Sequence, residues 1–404
     1  MRRILIIAGL FCASWVGATD YYTSPSATGG GTGTYASPFT LQEAADTAVG
    51  GETIYVLAGT YALATTANVD WDTNLGTVDS PIRVTGRSVT STATEALATI
   101  DGNGLSAGQN IFDVTVAALI VFDNLRLTGA PLYGVNVTGA AALSWRLCRI
   151  DDAGSHGYYG IATTGRNSFY KCEFDSNGGS GLDVNTTGRG RYLISYCAIH
   201  DNVGHGVSDG AGSISVHYAQ TSVDHTLIYD NGGSGIVVIA LANYPGPRIT
   251  NCTIVGNTSD GINIDADNGI AKITHNIIAL NGGYGINFNG DADTCAWLSN
   301  ICSYLNTSGH TDVTSGTLPG SGHVLADPQL VSVVDGIEDL TPQNAALSVA
   351  WAFPAGGSDY SYIGAIQPDP DMPDASSVLL GTTYDNNYAT GTARGIIRPI
   401  RYGQ

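Results

Sequence analysis

The chain has 404 residues, 53 of them glycine, and its 16 lysines and arginines face 35 acids, for a formal net charge of −19. So acidic a surface has no electrostatic footprint for nucleic acid or an anionic membrane, and it repels polyanionic polysaccharides unless local arginines or cations intervene. Few charges and abundant glycine fit a tightly turned, β-rich body whose core grows along one axis.

Residues 1–18, MRRILIIAGLFCASWVGA, read as a signal peptide: two arginines, a short apolar run, and small residues at the Val16-Gly17-Ala18 site. The run is too short to span a bilayer, and no later segment is long enough. The mature chain is expected to be soluble and secreted or held at the cell surface, with the charge moving from −19 to −21 once Arg2 and Arg3 are removed. Residues 40–51, TLQEAADTAVGG, predict a capping helix. Thr40 and Glu43 form a capping box, Leu41, Ala44, Ala45, Ala48 and Val49 share one face, and Gly50 stops the helix. The strand candidates ETIYVLAGTY and PIRVTG then begin a series of coils.

Within that series one heptapeptide recurs: SNGGSGL at 176–182, DNVGHGV at 201–207, DNGGSGI at 230–236, GNTSDGI at 256–262 and LNGGYGI at 280–286. Such a period marks a solenoid. Glycines 134, 160, 181, 206, 235, 261 and 285 each precede an aliphatic residue, Val135, Ile161, Leu182, Val207, Ile236, Ile262 and Ile286. Upstream stand Ile150, Phe174, Ile199, Ile228, Ile254 and Ile278, and two residues before them Cys148, Cys172, Cys197, Thr226, Cys252 and Asn276. A spacing of two puts both columns on one side of a strand, so the cysteines point inward with the isoleucines. Coils this short cannot hold a crossover helix. They predict an all-β, right-handed parallel β-helix over 19–323, each strand pairing with its equivalent one coil away at about 4.8 Å. Asn177, Asn202, Asn231, Asn257, Asn281 and Asn306 mark a turn, where Asn tolerates left-handed backbone and its amide can bond the Asn above and below. The glycines that follow are expected to supply positive φ at the corner. A row of cysteines along an axis does not converge on a metal; Cys295 and Cys302 are the candidate disulfide of an exported chain. Residues 324–366 read as a loop-rich C-terminal cover, 367–374 (QPDPDMPD) as a linker and 375–404 as a small tail element.

The opening YYTSPSATGGGTGTYASPFTLQEAADTAVGGETIYVLAGTY, with DPQL (327–330) and YIGAIQ (362–367), resembles secreted right-handed parallel β-helix proteins of the pectate-lyase-like superfamily. The resemblance covers about 20–367 and carries fold more than activity, since members degrade acidic polysaccharides, bind sugars or serve on phage tails. It implies a substrate groove on the outer face of the strands that follow each corner glycine. Tyr159, Ser180, His205, Ser234, Asp260 and Tyr284 precede those glycines, and Asn136, Ala162, Asp183, Ser208, Val237, Asn263 and Asn287 point outward along the strands. Such a row suits sugar rings and hydroxyls and equally describes a solvated face. From it Tyr159, Asp183, Ser208, Asn263 and Tyr284 are the candidate sugar contacts.

VGHGVSDG (203–210) resembles the Gly-His-Gly motif of galacturonase-type hydrolases, yet Gly179-Ser180 stands where they carry an aspartate pair. The lyase alternative needs a base and a cation that neutralises the uronate. TTGRNS and TTGRGR place Arg166 and Arg189 in equivalent loops of adjacent coils, where they share either a substrate carboxylate or a structural partner such as Asp183 or Asp209. Arg166, Arg189 and His205 are therefore the candidate catalytic residues. Calcium is the candidate ion, with Asp183, Asp209 and Asp260 supplying hard oxygen ligands from several turns. Five histidines fall between 156 and 225, in the interval of the longest coil and its insertion AGSISVHYAQTSVDH. The face beside the cysteine column turns from charged (Arg149, Asp151, Glu173, Asp175) to apolar (Leu227, Val255, Ile277, Ala279), so either 324–366 or a second subunit is expected to cover it. Two functions remain: a polysaccharide lyase-like enzyme on uronate glycans, and a non-catalytic surface, adhesion or phage-associated protein that binds glycans or assembles through its faces.

Overall fold

The structure, a computed structural model, describes residues 19–333 except 66–67, 74–75, 78, 88–96, 162–164, 185–189, 211–219, 241–244, 267–269, 289–295 and 313–319, and beyond them 339–342, 348–350, 360–362, 382–384 and 397–399. It is a parallel β-solenoid. Each full coil gives one strand to each of three sheets. Sheet 1 has 11 strands, from Asp20–Thr23 to Ala296–Ser299; sheet 2 has 10, from Gly59–Ala62 to Cys302–Tyr304; sheet 3 has 10, from Val69–Trp71 to Gly309–Thr311. The apolar column is in strict register: Ile150 lies against Phe174, then Ile199, Ile228, Ile254 and Ile278 follow one per coil, none more than 1% exposed. Translation along the axis, rather than a globular centre, makes this core.

The asparagine corner behaves as a hydrogen-bonded ladder. Each Nδ2 donates to the Oδ1 of the next Asn, from Asn177 to Asn202 at 2.8 Å, then at 2.9, 2.9, 3.0 and 2.8 Å up to Asn306. Two conformational expectations are corrected. Left-handed backbone falls on the residue before each Asn, at Ser176, Asp201, Asp230, Gly256, Leu280 and Leu305 with φ between 47° and 69°, and not on the Asn or the glycines after it. The corner glycines are needed for space instead: a Cβ on Gly235 would sit 2.5 Å from Ile254 Cγ2 and 2.7 Å from the Gly261 carbonyl oxygen.

The coil at 153–160 also differs from its expected register. Val135 pairs with Tyr158 and Asn136 with Tyr159, so the corner glycine is Gly157 rather than Gly160, and Tyr159 replaces Ala162 as the outward residue. The lumen admits the Tyr158 ring here because Gly160 leaves room; a Cβ there would lie 2.8 Å from the Tyr158 ring and 2.8 Å from the Tyr192 hydroxyl.

At the N-terminal end a strand that the sequence reading missed, Asp20–Thr23, pairs with Thr53–Leu57. The helix Leu41–Thr47 packs beside it and beside Val69–Trp71, with Leu41, Ala44 and Ala45 in the core. The capping box is present: Thr40 Oγ1 accepts from the Glu43 N–H at 3.2 Å, and Glu43 Oε2 accepts from the Thr40 N–H at 2.8 Å. Val49 and Gly50 lie outside the helix. Ala48 is already extended, and the Glu52 carboxylate takes up the Val49 N–H at 2.8 Å.

Cys148, Cys172, Cys197 and Cys252 are buried in the lumen. Cys302 is a free thiol whose Sγ donates to the Ala326 carbonyl at 3.4 Å, which removes the expected disulfide; Cys295 lies outside the described residues. The outer face of sheet 2 divides as its sequence suggested. Its first half is an ion-pair ladder, in which Arg126 binds Asp151, Arg149 grips both oxygens of Asp175 at 2.9 and 2.7 Å, and His200 bridges Glu173 and Asp201. Its apolar half, Val255, Ile277, Ala279 and Cys302, is covered by Leu340, with Val324 and Leu330 packed alongside. The chain's own C-terminal segment thus occupies the face that had offered a second subunit a seat. The linker 367–374 and most of the tail lie outside the described residues; the tail contributes one antiparallel pair, Thr382–Tyr384 with Ile397–Pro399. Among the described residues no helix is long and apolar enough to cross a membrane.

Candidate functional site

Two rows of side chains meet on the outer face of sheet 3. Strand alternation turns Asn136, Tyr159, Asp183 and Ser208 outward, one per coil in continuous register. The residues before the corner glycines form the second row: Tyr133, His156, Ser180, His205 and Ser234. The shifted register brings His156 into this row beside Tyr133, which precedes the unshifted Gly134; the sequence reading had placed neither there.

The rows interlock around Asp183. His156 Nε2 stands 3.4 Å from Asp183 Oδ2, while its Nδ1 accepts the Ser180 backbone N–H at 2.9 Å. His205 repeats the arrangement one step along, its Nδ1 accepting the Ser234 N–H at 3.0 Å and its own N–H donating to Ser180 Oγ at 3.3 Å. An imidazole that accepts through Nδ1 carries its proton on Nε2 when neutral, so both rings present N–H donors on this face. Burial holds both histidines below the usual imidazole range, opposed by the Asp183 charge. Burial also raises Asp183, against the pull of His156, His205 and the Ser208 hydroxyl. The cluster thus sets one carboxyl group beside two imidazole rings. Beside it the Tyr133 and Tyr159 rings stack at 4.5 Å and 21°, and His156 continues the stack at 5.6 Å from Tyr133 and 5.8 Å from Tyr159. Parallel aromatic planes next to hydrogen-bonding groups make a platform for sugar rings.

The other expected site residues are dispersed. Asp209 points into the lumen, 7% exposed, with Oδ2 accepting from Thr221 Oγ1 at 2.6 Å; it follows the inward Val207 by two residues, so strand alternation buries it. Asp260 is a corner residue whose Oδ1 accepts the Tyr284 N–H at 2.7 Å and whose Oδ2 accepts from Asn287 Nδ2 at 2.9 Å. It stands three coils from Asp183, about 14 Å at strand spacing. Asp183, Asp209 and Asp260 therefore do not form one calcium site, and Asp183 faces N–H donors where a hard cation needs oxygens. Asn263 is outward on sheet 3 three coils from Asp183, and Tyr284 is a corner residue of the next coil, so neither belongs to the cluster. Arg166 opens a strand of sheet 1, exposed, and its register partner is Arg191 rather than Arg189, which lies outside the described residues together with the insertion at 211–219. Of the expected catalytic residues only His205 reaches the Asp183 cluster.

A family model described as "Right handed beta helix region" matches residues 82–238 and 207–311. No curated protein matches the chain. Among solved structures, pectate lyase Pel9A superposes with a TM-score of 0.65 at 18% identity, over 88% of this chain and 98% of that one. The A-module of the Azotobacter vinelandii mannuronan C-5 epimerase AlgE6 gives a TM-score of 0.47 at 16% identity over 69% and 92% of the two chains. A rhamnogalacturonan lyase gives 0.43 at 14% over 79% and 91%. At these identities the likeness is one of fold. With the family model spanning most of the coils, the chain belongs to the right-handed β-helix family.

Proposed function

We propose that this chain is a secreted carbohydrate-active β-helix of lyase type that acts on a uronate-containing glycan across sheet 3, with Asp183 as its proton acceptor. The observation that carries the reading is Asp183 itself, half-buried between two histidine donors and next to the Tyr133–Tyr159 stack. Hydrolysis calls for two carboxylates no more than about 9.5 Å apart. Along the outward row of sheet 3 the next carboxylate before Asp183 is Asp113, three coils away or about 14 Å. Elimination asks for less: one base removes the proton beside the sugar carboxylate, the bond to the leaving oxygen breaks, and solvent protonates that oxygen. His156 and His205 supply N–H groups to the charge that develops on the carboxylate. A carboxyl raised by burial is a stronger base than a solvated one, which suits Asp183 to the abstraction.

The fold relative Pel9A, a pectate lyase, is in keeping with this chemistry. Incubation with a panel of polyuronates should yield unsaturated product, read by its ultraviolet absorbance. Asp183→Asn is expected to lower kcat about a hundredfold with little change in melting temperature. The rate should fall on the acid side as Asp183 takes up its proton. No product from any polyuronate, or full activity in Asp183→Asn, would overturn the assignment.

A further inference from the structure

The outer face of sheet 2 gathers a second set of ligating side chains, on a different sheet from the Asp183 cluster. Glu173 and Asp175 stand two residues apart on one strand, and His200 pairs with Asp175 in register on the next coil. All three turn outward, because the neighbouring Phe174 and Ile199 point into the core. One atom from each, an imidazole nitrogen and two carboxylate oxygens, lies within 4.8 Å of the other two. The Asp175 side chain is buried, whereas Glu173 is half-buried and can be reached from solvent.

The His200 ring is held on both sides. It stacks on Tyr229 at 4.6 Å and 6°, and its Nδ1 lies 2.7 Å from Asp201 Oδ2. A carboxylate only accepts, so Nδ1 carries the proton and Nε2 of the neutral ring is a lone pair. That lone pair faces a second acceptor, Glu173 Oε1, at 3.3 Å. Two acceptors so placed need a positive species between them. A proton on Nε2 would draw the pair to about 2.7–2.9 Å, the length of a charge-assisted hydrogen bond. The Asp201 contact on the same ring reaches that length and the Glu173 contact does not. The wider gap matches two ligands on one tetrahedral ion, about 3.4 Å apart for bonds of about 2.0–2.1 Å. Charge agrees with distance. Arg126 is paired with Asp151 and Arg149 with Asp175, while Arg149 comes only within 4.0 Å of Glu173. Glu173 and Asp201 are left over, together the charge of one divalent ion.

We propose that Glu173, Asp175 and His200 form a binding site for a divalent transition ion of the zinc type. His200 Nε2 and one oxygen from each carboxylate are the ligands, solvent fills the remaining position, and Asp201 orients the ring. An imidazole ligand selects such an ion over calcium or magnesium, which take oxygens. A carboxylate behind a ligating histidine is the usual support of such sites. Arg149 stays on Asp175, since each carboxylate oxygen it engages has a second lone pair to offer. The ion would clip the coil of Glu173 to the coil of His200, and the assignment does not depend on the role given to Asp183.

Calorimetric titration of the full chain, free of any affinity tag, with zinc chloride and separately with calcium chloride tests it. Zinc should bind at least about tenfold more tightly than calcium. His200→Gln and Glu173→Gln should each weaken zinc binding about a hundredfold, and Asp201→Asn about tenfold. Zinc should also raise the melting temperature of the native chain and leave that of His200→Gln where it was. Asp183→Asn, on sheet 3, should bind zinc as the native chain does, which separates this site from the two histidines beside Asp183. Glu173 is half-buried at the surface, so its amide variant carries the test should His200→Gln not fold. No zinc uptake at about 100 μM would overturn the proposal and leave His200 as a protonated bridge. So would calcium bound as tightly as zinc, full zinc affinity in either glutamine variant, or zinc affinity lost with Asp183→Asn.

Discussion

An Asn231→Ala chain is expected to unfold about 3–5 kcal/mol more easily than the native one. Asn231 is fully buried and serves five hydrogen bonds through its side chain. Its Oδ1 accepts from Asn202 N at 3.3 Å and Nδ2 at 2.9 Å; its Nδ2 donates to the carbonyls of Ile199 at 3.2 Å and Tyr229 at 3.0 Å and to Asn257 Oδ1 at 2.9 Å. Truncation leaves the Asn202 backbone N–H without its Asn231 acceptor inside a buried corner, and each buried orphan costs about 1–3 kcal/mol. Asn231→Asp should be at least as damaging, because a carboxylate cannot donate to the Ile199 and Tyr229 carbonyls and would be charged among them. At the ladder's end, Asn306→Ala should cost less, since Asn306 retains 7% exposure and has one ladder neighbour. Chemical denaturation of the three variants checks the order. A loss below about 1 kcal/mol at Asn231 would mean that the ladder records the coil geometry without holding it.

Asp209→Asn should stabilise the protein by about 3 kcal/mol at neutral pH. Burial lifts the Asp209 carboxyl to about 6 from an ordinary 3.8, with the Thr221 hydroxyl pulling the other way. A carboxyl raised in the folded state contributes stability that is complete below pH 3.8 and is lost as pH rises through 6; above that, folding bears a buried charge. The amide keeps an oxygen for Thr221 and never ionises. Melting temperatures should coincide near pH 4 and separate progressively to pH 7, the variant being higher. Parallel curves across that range would show that Asp209 does not titrate in the lumen.

Much of this architecture could be read from the chain because translation repeats it. One residue type per coil at fixed spacing is enough to name the inward isoleucines, the buried thiols and the asparagine corner, and all three stand where periodicity put them. The reading slipped where a coil breaks its own pattern. In GYYGI the aliphatic Ile161 drew the register to Gly160, whereas the lumen accepts Tyr158 because Gly160 and the inner wall make room for a ring. That slip hid His156 from the candidate site while leaving Asp183, His205 and Ser208 in it; Tyr133 was missed although it precedes Gly134, a corner glycine the periodicity had placed. Asp209 was legible and misread: Val207 inward and Ser208 outward already send the next residue back inside. Arg166 found a different register partner from the one its loop suggested, and Arg189 itself lies outside the described residues. Coils of unequal length carry loops that differ by residues, so similar tetrapeptides do not imply equal height, and strand pairing matched Arg166 to Arg191. The left-handed residues before each Asn, including leucines at 280 and 305, follow no composition rule; the corner imposes that conformation on whatever side chain occurs there.

The thiols distributed along the solenoid make it a ruler for its own breathing. Cys148, Cys172 and Cys197 sit on successive coils, with Cys252 and Cys302 farther along, and every one is sealed from solvent. Burial pushes the Cys148, Cys172 and Cys252 thiols upward, so an alkylating reagent must wait for a local opening before it finds a thiolate. Labelling rates at the five sulfurs, resolved by mass spectrometry without any engineered probe, would therefore read out whether the coils fray from one end, from both, or part as a single unit.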